Sequence, residues 1–143
     1  MLINQLLNAK GHQVFTATPD ETVSSISALL YARKVGAFVV ADRLGRVVGI
    51  VSERDVIRAL AQLGAAALER PVHEIMTKDV VVASLGETVD SLLERMTDRR
   101  IRHLPVMEGQ KLAGIISIGD LVKAKIAHAE HEAHTLKQYI AAG

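Results

Sequence analysis

Residues 47–55 read VVGIVSERD and residues 112–120 read LAGIISIGD, so the pattern Gly-x-x-Ser-x-x-Asp occurs twice with a spacing of 65. In both copies an apolar run ends at the serine, and the aspartate follows three residues later. A short apolar run is typical of a buried strand, and serine with an acid three residues on is typical of a helix start. The two stretches therefore predict the same strand-to-helix junction at two places.

The similarity extends beyond the two junctions. Residues 14–23 (VFTATPDETV) match residues 80–89 (VVVASLGETV), and Ser25, Arg33 and Val40 also recur 66 positions later. Self-similarity at a fixed spacing over about fifty residues indicates a duplicated structural unit. We place the two repeats at about residues 14–60 and 80–126.

Each repeat is predicted to have the order β-α-β-β-α. The first helix should begin at a capping box, residues 18–21 and again 84–87, and the closing helix should begin at Ser52 and at Ser117. Because Pro105 has no N–H, it should lie at a sheet edge or at the start of a strand. The strands are expected at residues 14–17, 37–41 and 47–51, and at residues 80–83, 103–107 and 111–116.

We therefore expect an α/β (α+β) fold of two tandem β-α-β-β-α repeats that pack through their sheets with pseudo-two-fold symmetry. A three-stranded sheet with one helix layer leaves one face poorly covered, and sheet-to-sheet packing would bury it. The predicted organisation is residues 1–70 for the first repeat with an N-terminal helix and connector, 71–127 for the second repeat, and 128–143 for a C-terminal helical extension.

Composition narrows the functional classes. With 17 basic and 16 acidic residues the net charge is +1, which does not favour nucleic acid or a membrane surface as partner. The absence of cysteine excludes disulfides and thiolate metal sites. No secretory signal and no apolar run of about 20 residues is evident, so we expect a cytoplasmic location. No nucleophile with an evident base appears, so we do not expect an enzyme.

The two junctions are the strongest candidates for a binding site. Backbone N–H groups and the positive end of the helix dipole favour a phosphate there. Ser52 and Ser117 can donate to phosphate, and Asp55 and Asp120 can accept the two hydroxyls of a ribose. The glycine would let a ligand approach the backbone. The same residues can instead simply cap the helices, and capping and binding can coexist.

Two further clusters are weaker candidates. The basic segment 99–103 (RRIRH) suits phosphate, although cations are favourable at any helix C-terminus. Its counterpart at residues 33–37 (RKVGA) is less basic, so the two repeats should bind differently. The histidines at positions 128, 131 and 134 have a spacing that can bind metal, but a solvated helix is favoured, and we expect no metal site.

These features resemble the CBS (cystathionine β-synthase) domain pair, or Bateman module, of the stand-alone bacterial kind. The resemblance covers nearly the whole chain and also rests on residues 73–77 (HEIMT) and 102–106 (RHLPV). It implies a regulatory module that binds an adenosine-containing ligand, such as AMP, ADP, ATP, S-adenosylmethionine or NAD(H), between the repeats. It also implies a homodimer formed through helices of the modules.

The resemblance implies roles for individual side chains. An acid and a hydroxyl in each repeat would hold the ribose and the phosphate: Asp55 with Ser52, and Asp120 with Ser117. Two residues of the first strands would border the adenine: Thr16 and Val82. Basic residues would lie on the phosphate side: Lys10, Arg54, Arg100, Arg102 and His103.

The leading interpretation is thus a sensor in which AMP, ATP or NAD(H) shifts the packing of the module or its binding to a protein partner. Such a shift requires different ligand affinities for the two states. The alternative is a structural, protein-interaction module that is indifferent to nucleotides. The sequence names neither the ligand nor the regulated partner.

Overall fold

The computed structural model describes residues 1–142. Two short 3-10 helices occupy Gly64–Glu69 and Val72–Glu74. The main elements are α1 (Ile3–Lys10), β1 (Thr16–Ala17), α2 (Val23–Arg33), β2 (Ala37–Ala41), β3 (Val47–Ser52), α3 (Glu53–Leu63), β4 (Ala83–Ser84), α4 (Val89–Arg99), β5 (His103–Glu108), β6 (Lys111–Ser117) and α5 (Ile118–Ala142). The mixed α/β class and the repeated order β-α-β-β-α are confirmed.

The strands form two separate three-stranded sheets, with the orders β1-β2-β3 and β4-β5-β6. In the first sheet β1 runs parallel to β2, and β2 pairs with β3 in antiparallel register, Phe38 opposite Val51. In the second sheet β4 runs parallel to β5. Each repeat therefore supplies one complete sheet, with its closing helix beginning directly after the last strand.

Close contacts divide the chain into two compact units. The first-repeat unit comprises residues 13–81 and 109–112, and the second-repeat unit comprises residues 1–12, 82–108 and 113–142. Helix α1 thus belongs with the second repeat, although it precedes the first repeat along the chain. The predicted division at residue 70, which groups α1 with the first repeat, follows the order of the sequence and not these contacts.

Backbone hydrogen bonds explain why residues 70–72 belong to the first-repeat unit. Residues 70–72, which lead into the second repeat, lie against the start of α2. The Val23 N–H donates to the Arg70 carbonyl over 2.9 Å, and the Val72 N–H donates to the Glu21 carbonyl over 2.7 Å. A connecting segment of the chain thereby satisfies polar groups at a helix start, where no intrahelical partner exists.

The second-repeat unit uses the same arrangement with the chain's first residues. The Val89 N–H donates to the Met1 carbonyl over 3.0 Å, and the Ile3 N–H donates to the Glu87 carbonyl over 2.9 Å. Because this pairing repeats that of residues 70–72, the residues that precede each repeat complete the other one.

The first helix of each repeat begins later than the predicted capping boxes at residues 18–21 and 84–87. The actual N-caps are Thr22 and Thr88, whose side chains accept hydrogen bonds from Ser25 N–H and Ser91 N–H over 3.1 Å each. The predicted boxes instead close tight turns just before the helices. Isolated β-bridges join Thr22 to Pro71 and Thr88 to Leu2. They hold the two threonines in extended backbone, so each helix starts later than predicted.

The first strands are also shorter than predicted. Only the last two residues of 14–17 form β1, and β4 begins at Ala83, one residue later than its counterpart. Pro105 lies inside the middle strand β5, contrary to the prediction of an edge or strand start. Because Pro105 has no N–H to donate, we attribute the shift to it, and parallel pairing begins at Val106 opposite Ala83.

The C-terminal part of the chain is one continuous helix. Helix α5 begins at Ile118 and runs without a break to Ala142, so the predicted extension from residue 128 is a continuation of the closing helix. Leu121 is its buried residue, and the helix is otherwise largely exposed. The last position of the predicted extension, Gly143, lies outside the described residues.

Candidate functional site

The junction of the first repeat lies where β3 ends and α3 begins. The Ser52 N–H donates to Asp55 Oδ2 over 2.9 Å, and the Asp55 N–H donates to Ser52 Oγ over 3.4 Å. The Ser52 hydroxyl also donates to Oδ2, over 3.1 Å. Arg58, one turn further on, donates to Oδ1 over 3.2 Å. Asp55 is 5% exposed, so this carboxylate is buried with both oxygens bound by groups of the protein itself.

The junction of the second repeat has the same reciprocal cap. The Ser117 N–H donates to Asp120 Oδ2 over 2.8 Å, and the Asp120 N–H donates to Ser117 Oγ over 3.1 Å. The side chain of Asp120 is 25% exposed. Within residues 1–142 the hydrogen bonds from Lys10 and the Ser117 N–H both go to Oδ2 and none reaches Oδ1. A hydrogen bond from the Ser117 side chain also helps to lower the pKa of Asp120. This junction therefore keeps one carboxylate oxygen open.

The cation at the second junction comes from a different element. Lys10, at the end of α1, places Nζ 2.5 Å from Asp120 Oδ2 and 2.7 Å from the Ile115 carbonyl oxygen. Burial raises the pKa of Asp120, but the hydrogen bonds and charge of Lys10, together with the Ser117 N–H, outweigh it and leave that pKa below its ordinary value. Asp120 is therefore a carboxylate at neutral pH.

The capping interpretation is thus correct at both junctions. The protein's own hydrogen bonds occupy different shares of the two carboxylates. At Asp55 the capping bonds and Arg58 occupy the whole carboxylate. At Asp120 they occupy one oxygen. Arg58 was not predicted, although its position three residues after Asp55 is a known spacing for a helical ion pair.

The glycine of each junction has a packing role. A Cβ atom on Gly114 would lie 2.7 Å from Leu7 Cδ2, and one on Gly49 would overlap the Met76 sulphur. The side chains that fill these positions again come from the segments preceding the repeats. The approach of a ligand to the backbone at these glycines stays a prediction.

The predicted basic residues of the second repeat lie around the start of α5. Arg100 ends α4 in the left-handed conformation, with φ 55, and its side chain is exposed. The Ile118 N–H donates to the Arg102 carbonyl over 2.8 Å, which brings this exposed arginine next to Ser117. His103, half-buried, begins β5. The structure therefore places the backbone of Arg102 beside the second junction, with the side chains of Arg100 and Arg102 exposed.

The remaining predicted residues differ in setting. In the first-repeat unit Arg54 is exposed in the first turn of α3, and Thr16 is exposed in β1 opposite Val39. In the second-repeat unit Val82 is 42% exposed and precedes β4. The Val82 carbonyl accepts a hydrogen bond of 3.0 Å from Arg95, which sequence reasoning missed.

Arg95 also forms an ion pair with Glu87, the acid that precedes α4. The hydrogen bond from Arg95 lowers the pKa of Glu87, against the raising effect of burial. Arg95 thus ties the end of the first-strand segment to the turn before α4. It supports the position of Val82 without being part of either junction.

The first repeat carries an open depression of about 520 Å³ where α2 ends and α3 begins. Lys34 and Glu53 are its charged lining residues, and Lys34, like Arg100, is left-handed with φ 55. Lys34 and Gly36 correspond to Arg100 and Arg102 at a spacing of 66. The first repeat therefore offers less positive charge at this place than the second.

The three histidines of the predicted alternative metal cluster lie on the exposed part of α5. His128 Nε2 lies 3.1 Å from Glu132 Oε1, an ordinary helical pair of positions i and i+4. In the part of the chain that the structure describes, no group of three potential ligands is placed to hold a metal ion.

Comparison with known protein families decides the assignment. The family model described as the CBS domain matches this chain twice, at residues 11–62 and 72–127. This chain belongs to the CBS domain family. The two matches coincide with the two repeats, and CBS domain pairs are regulatory modules.

A solved structure and a curated relative agree with this assignment. A CBS-domain containing protein from Agrobacterium tumefaciens is 48% identical, with a TM-score of 0.85, over 87% of this chain and 92% of that one. A mitochondrial CBS domain-containing protein from Arabidopsis thaliana is 30% identical over 99% of this chain and 72% of its own length.

One similar structure contains ligands. The CBS domain pair of protein MJ0100, in complex with 5′-methylthioadenosine and S-adenosyl-L-methionine, is 25% identical with a TM-score of 0.77. The alignment covers 87% of this chain and 98% of that one. A related CBS pair therefore binds adenosine-containing molecules.

Of the helices in residues 1–142, none combines the length and the apolar character that crossing a membrane requires.

Proposed function

We propose that this CBS domain pair is a regulatory sensor of an adenine nucleotide, AMP, ATP or NAD(H), and that the second junction is its principal binding site. Occupancy would change the packing of the module or its affinity for a protein partner. The adenosine-containing ligands of the related pair support the ligand class. The geometry of the second junction supports the choice of site.

The observation that carries this proposal is the incomplete use of the Asp120 carboxylate. Asp120 is charged, partly exposed and has Oδ1 open. A ribose hydroxyl needs an acceptor, and a phosphate needs donors at a helix start. Asp120 supplies the acceptor, and it lies in the first turn of α5.

The surrounding cations support a phosphate-bearing ligand. Arg100 and Arg102 are exposed beside the start of α5, and an arginine fork can bind phosphate through two parallel hydrogen bonds. Lys10 adds a third positive charge at Asp120. His103 begins the adjacent strand and completes the proposed phosphate side.

In the first repeat we propose a weaker or different role. Asp55 is buried and fully engaged, and Arg54 is the predicted phosphate ligand that remains exposed near Ser52. Thr16 and Val82 would border the adenine, each on the first-strand segment of its repeat. We therefore expect one occupied site at low ligand concentration, with the second-repeat site filled first.

We further propose that the protein is cytoplasmic and forms homodimers. Ile57 and Leu63 on α3 are 66% and 47% exposed, and apolar side chains of this size on a helix of a module support pairing through that helix. If the nucleotide binds two arrangements of the module with different affinities, nucleotide binding would change the affinity of the module for a protein partner.

Calorimetric titration of the folded protein with AMP, ATP, NAD and NADH tests the proposal. We expect at least one of them to bind with a stoichiometry of one or two per chain. S-adenosylmethionine, as a further arm, separates a nucleotide sensor from a sensor of other adenosine compounds. If none of the five binds to a protein that melts cooperatively, the sensor function is wrong.

The alternative is a nucleotide-independent interaction module. The complete engagement of Asp55 favours it for the first repeat, since that junction has no free carboxylate oxygen. This alternative predicts that any protein partner is bound with the same affinity in the presence and absence of nucleotide. A change in partner affinity on adding the bound nucleotide would reject it.

A further inference from the structure

Helix α5 carries an apolar stripe that stays largely exposed within residues 1–142. Beyond Leu121 none of its described residues is buried. Val122, Ile126, Leu136 and Ile140 are 44, 54, 59 and 68% exposed. Large side chains exposed in this number on one helix mark an interaction surface.

The spacing of the stripe is that of a coiled-coil seam. Successive members alternate between steps of four and three residues, the repeat that keeps a seam facing a partner helix. The stripe consists of Val122, Ile126, Ala129, Ala133, Leu136 and Ile140. The a positions then hold Ile126, Ala133 and Ile140, and the d positions hold Val122, Ala129 and Leu136. Isoleucine at a with leucine at d is the choice that favours parallel two-stranded coils.

Charges beside the seam decide the partner and its direction. In a parallel pair, a g residue of one helix faces the e residue five positions later on the other. Lys125 would face Glu130 of the second helix, and Glu132 would face Lys137. Both combinations are attractive, and two-fold symmetry makes each occur twice.

An antiparallel pair with the same apolar layers would be repulsive. It is centred on His131, so Glu130 would face Glu130 of the second copy, Glu132 would face Glu132, and Lys123 would face Lys137. Like charges at these positions disfavour that alignment. The sequence of the helix is therefore complementary to itself in parallel register.

Two existing ion pairs touch these positions without blocking them. Lys125 pairs with Asp90 over 2.7 Å, and Glu132 pairs with His128. All four side chains are more than half exposed, and such surface pairs are weak enough to exchange. Glu130 and Lys137 take part in no ion pair within residues 1–142.

We propose that residues 122–140 of α5 form a parallel, in-register, two-stranded coiled coil with a second copy of this chain. The stripe is about 27 Å long at 1.5 Å per residue. This is shorter than a free-standing coiled coil, and folded units at its N-terminal end would hold the two helices in register. The proposal does not depend on nucleotide binding.

Cysteine cross-linking tests the pairing, because the natural chain contains no cysteine. In full-length Ala129→Cys the two cysteines face each other only in the parallel register. We expect spontaneous disulfide dimers that form roughly tenfold or more faster than in Thr135→Cys, whose cysteine lies on the outer face of the helix. Equal rates would overturn the proposal.

A mixing experiment tests the direction. The antiparallel register places residue 129 against residue 133, so a mixture of Ala129→Cys and Ala133→Cys would then give the mixed dimer in preference to either homodimer. That result would contradict the parallel direction.

Sedimentation equilibrium gives a second readout. Leu136→Lys should lower the dimer fraction, whereas Thr135→Lys, the matched control, should leave it unchanged. Lys137→Glu should weaken the dimer and Lys137→Glu with Glu132→Lys should restore it. An unchanged dimer constant in Leu136→Lys, in a protein with unaltered helical content, would contradict the seam.

Discussion

At the scale of single residues, two identical local motifs have different capacities. Ser52 with Asp55 and Ser117 with Asp120 form the same cap, but one carboxylate is buried with an arginine while the other is open and paired with Lys10. The difference comes from which cation each aspartate meets. Arg58, on the same helix, binds Asp55, whereas Lys10, on the distant helix α1, binds Asp120.

Lys10→Met should make the free energy of unfolding less dependent on pH in the acidic range. Because the pKa of Asp120 is lowered in the folded protein, its contribution is present above about pH 4 and is lost as the pH falls through the folded pKa. The pair is partly exposed, so we expect a loss of less than about 1 kcal/mol at pH 7. Chemical denaturation between pH 7 and pH 2.5 measures it.

The difference in the free energy of unfolding between Lys10→Met and the natural protein should therefore become smaller as the pH falls below 4. Lys78→Met, an exposed lysine in the first-repeat unit, is the control and should change little at either pH. A gap that stays constant or widens in acid would show that the ammonium group does not stabilise the folded protein through the Asp120 carboxylate.

Arg100→Gly should separate stability from binding. The left-handed backbone at Arg100 favours glycine, so the variant should be as stable as the natural protein or about 1 kcal/mol more stable. It also removes a proposed phosphate ligand and should weaken nucleotide binding severalfold. Thermal melts and calorimetry measure the two effects.

Lys34→Gly is the matched control, because Lys34 has the same backbone angles in the first repeat. It should gain similar stability and keep the nucleotide affinity. Equal losses of affinity in Arg100→Gly and Lys34→Gly would remove the preference for the second repeat.

At the scale of elements, the residues that precede each repeat are part of the other unit. Leu7 of α1 fills the space above Gly114, and Met76 fills the space above Gly49. The repeat followed from its self-similarity, the middle and last strands from apolar runs, and the closing helices from the Ser-x-x-Asp pattern. The helix starts at Thr22 and Thr88 did not, because backbone bonds from distant segments set them.

Gly114→Ala should destabilise the protein by about 1–3 kcal/mol, because the new methyl group overlaps fully buried Leu7. Gly49→Ala should cost less, since the Met76 side chain is flexible and only partly buried. Gly86→Ala has open space and should be nearly neutral. Equal denaturation midpoints for the three variants would contradict this packing role.

At the scale of the whole molecule, the duplication is visible in the sequence, but the partition into two units is not. Spacings of 65 and 66 predicted the two sheets and both junctions. Local sequence holds no sign that residues 1–12 pack with the second repeat, because that contact joins residues about a hundred positions apart, such as Lys10 and Asp120. The cation that pairs with Asp120 comes from the same long-range contact.

The central claim is that Asp120, and not Asp55, provides the open carboxylate for the sugar of an adenine nucleotide. Calorimetric titration of the best-binding nucleotide into Asp120→Asn, Asp55→Asn and the exposed control Asp20→Asn tests it most directly. We predict at least roughly tenfold weaker binding for Asp120→Asn, consistent with a lost hydrogen bond to a charged acceptor. Asp55→Asn should chiefly lose stability, and Asp20→Asn should match the natural protein. Unchanged affinity in a folded Asp120→Asn would contradict the account.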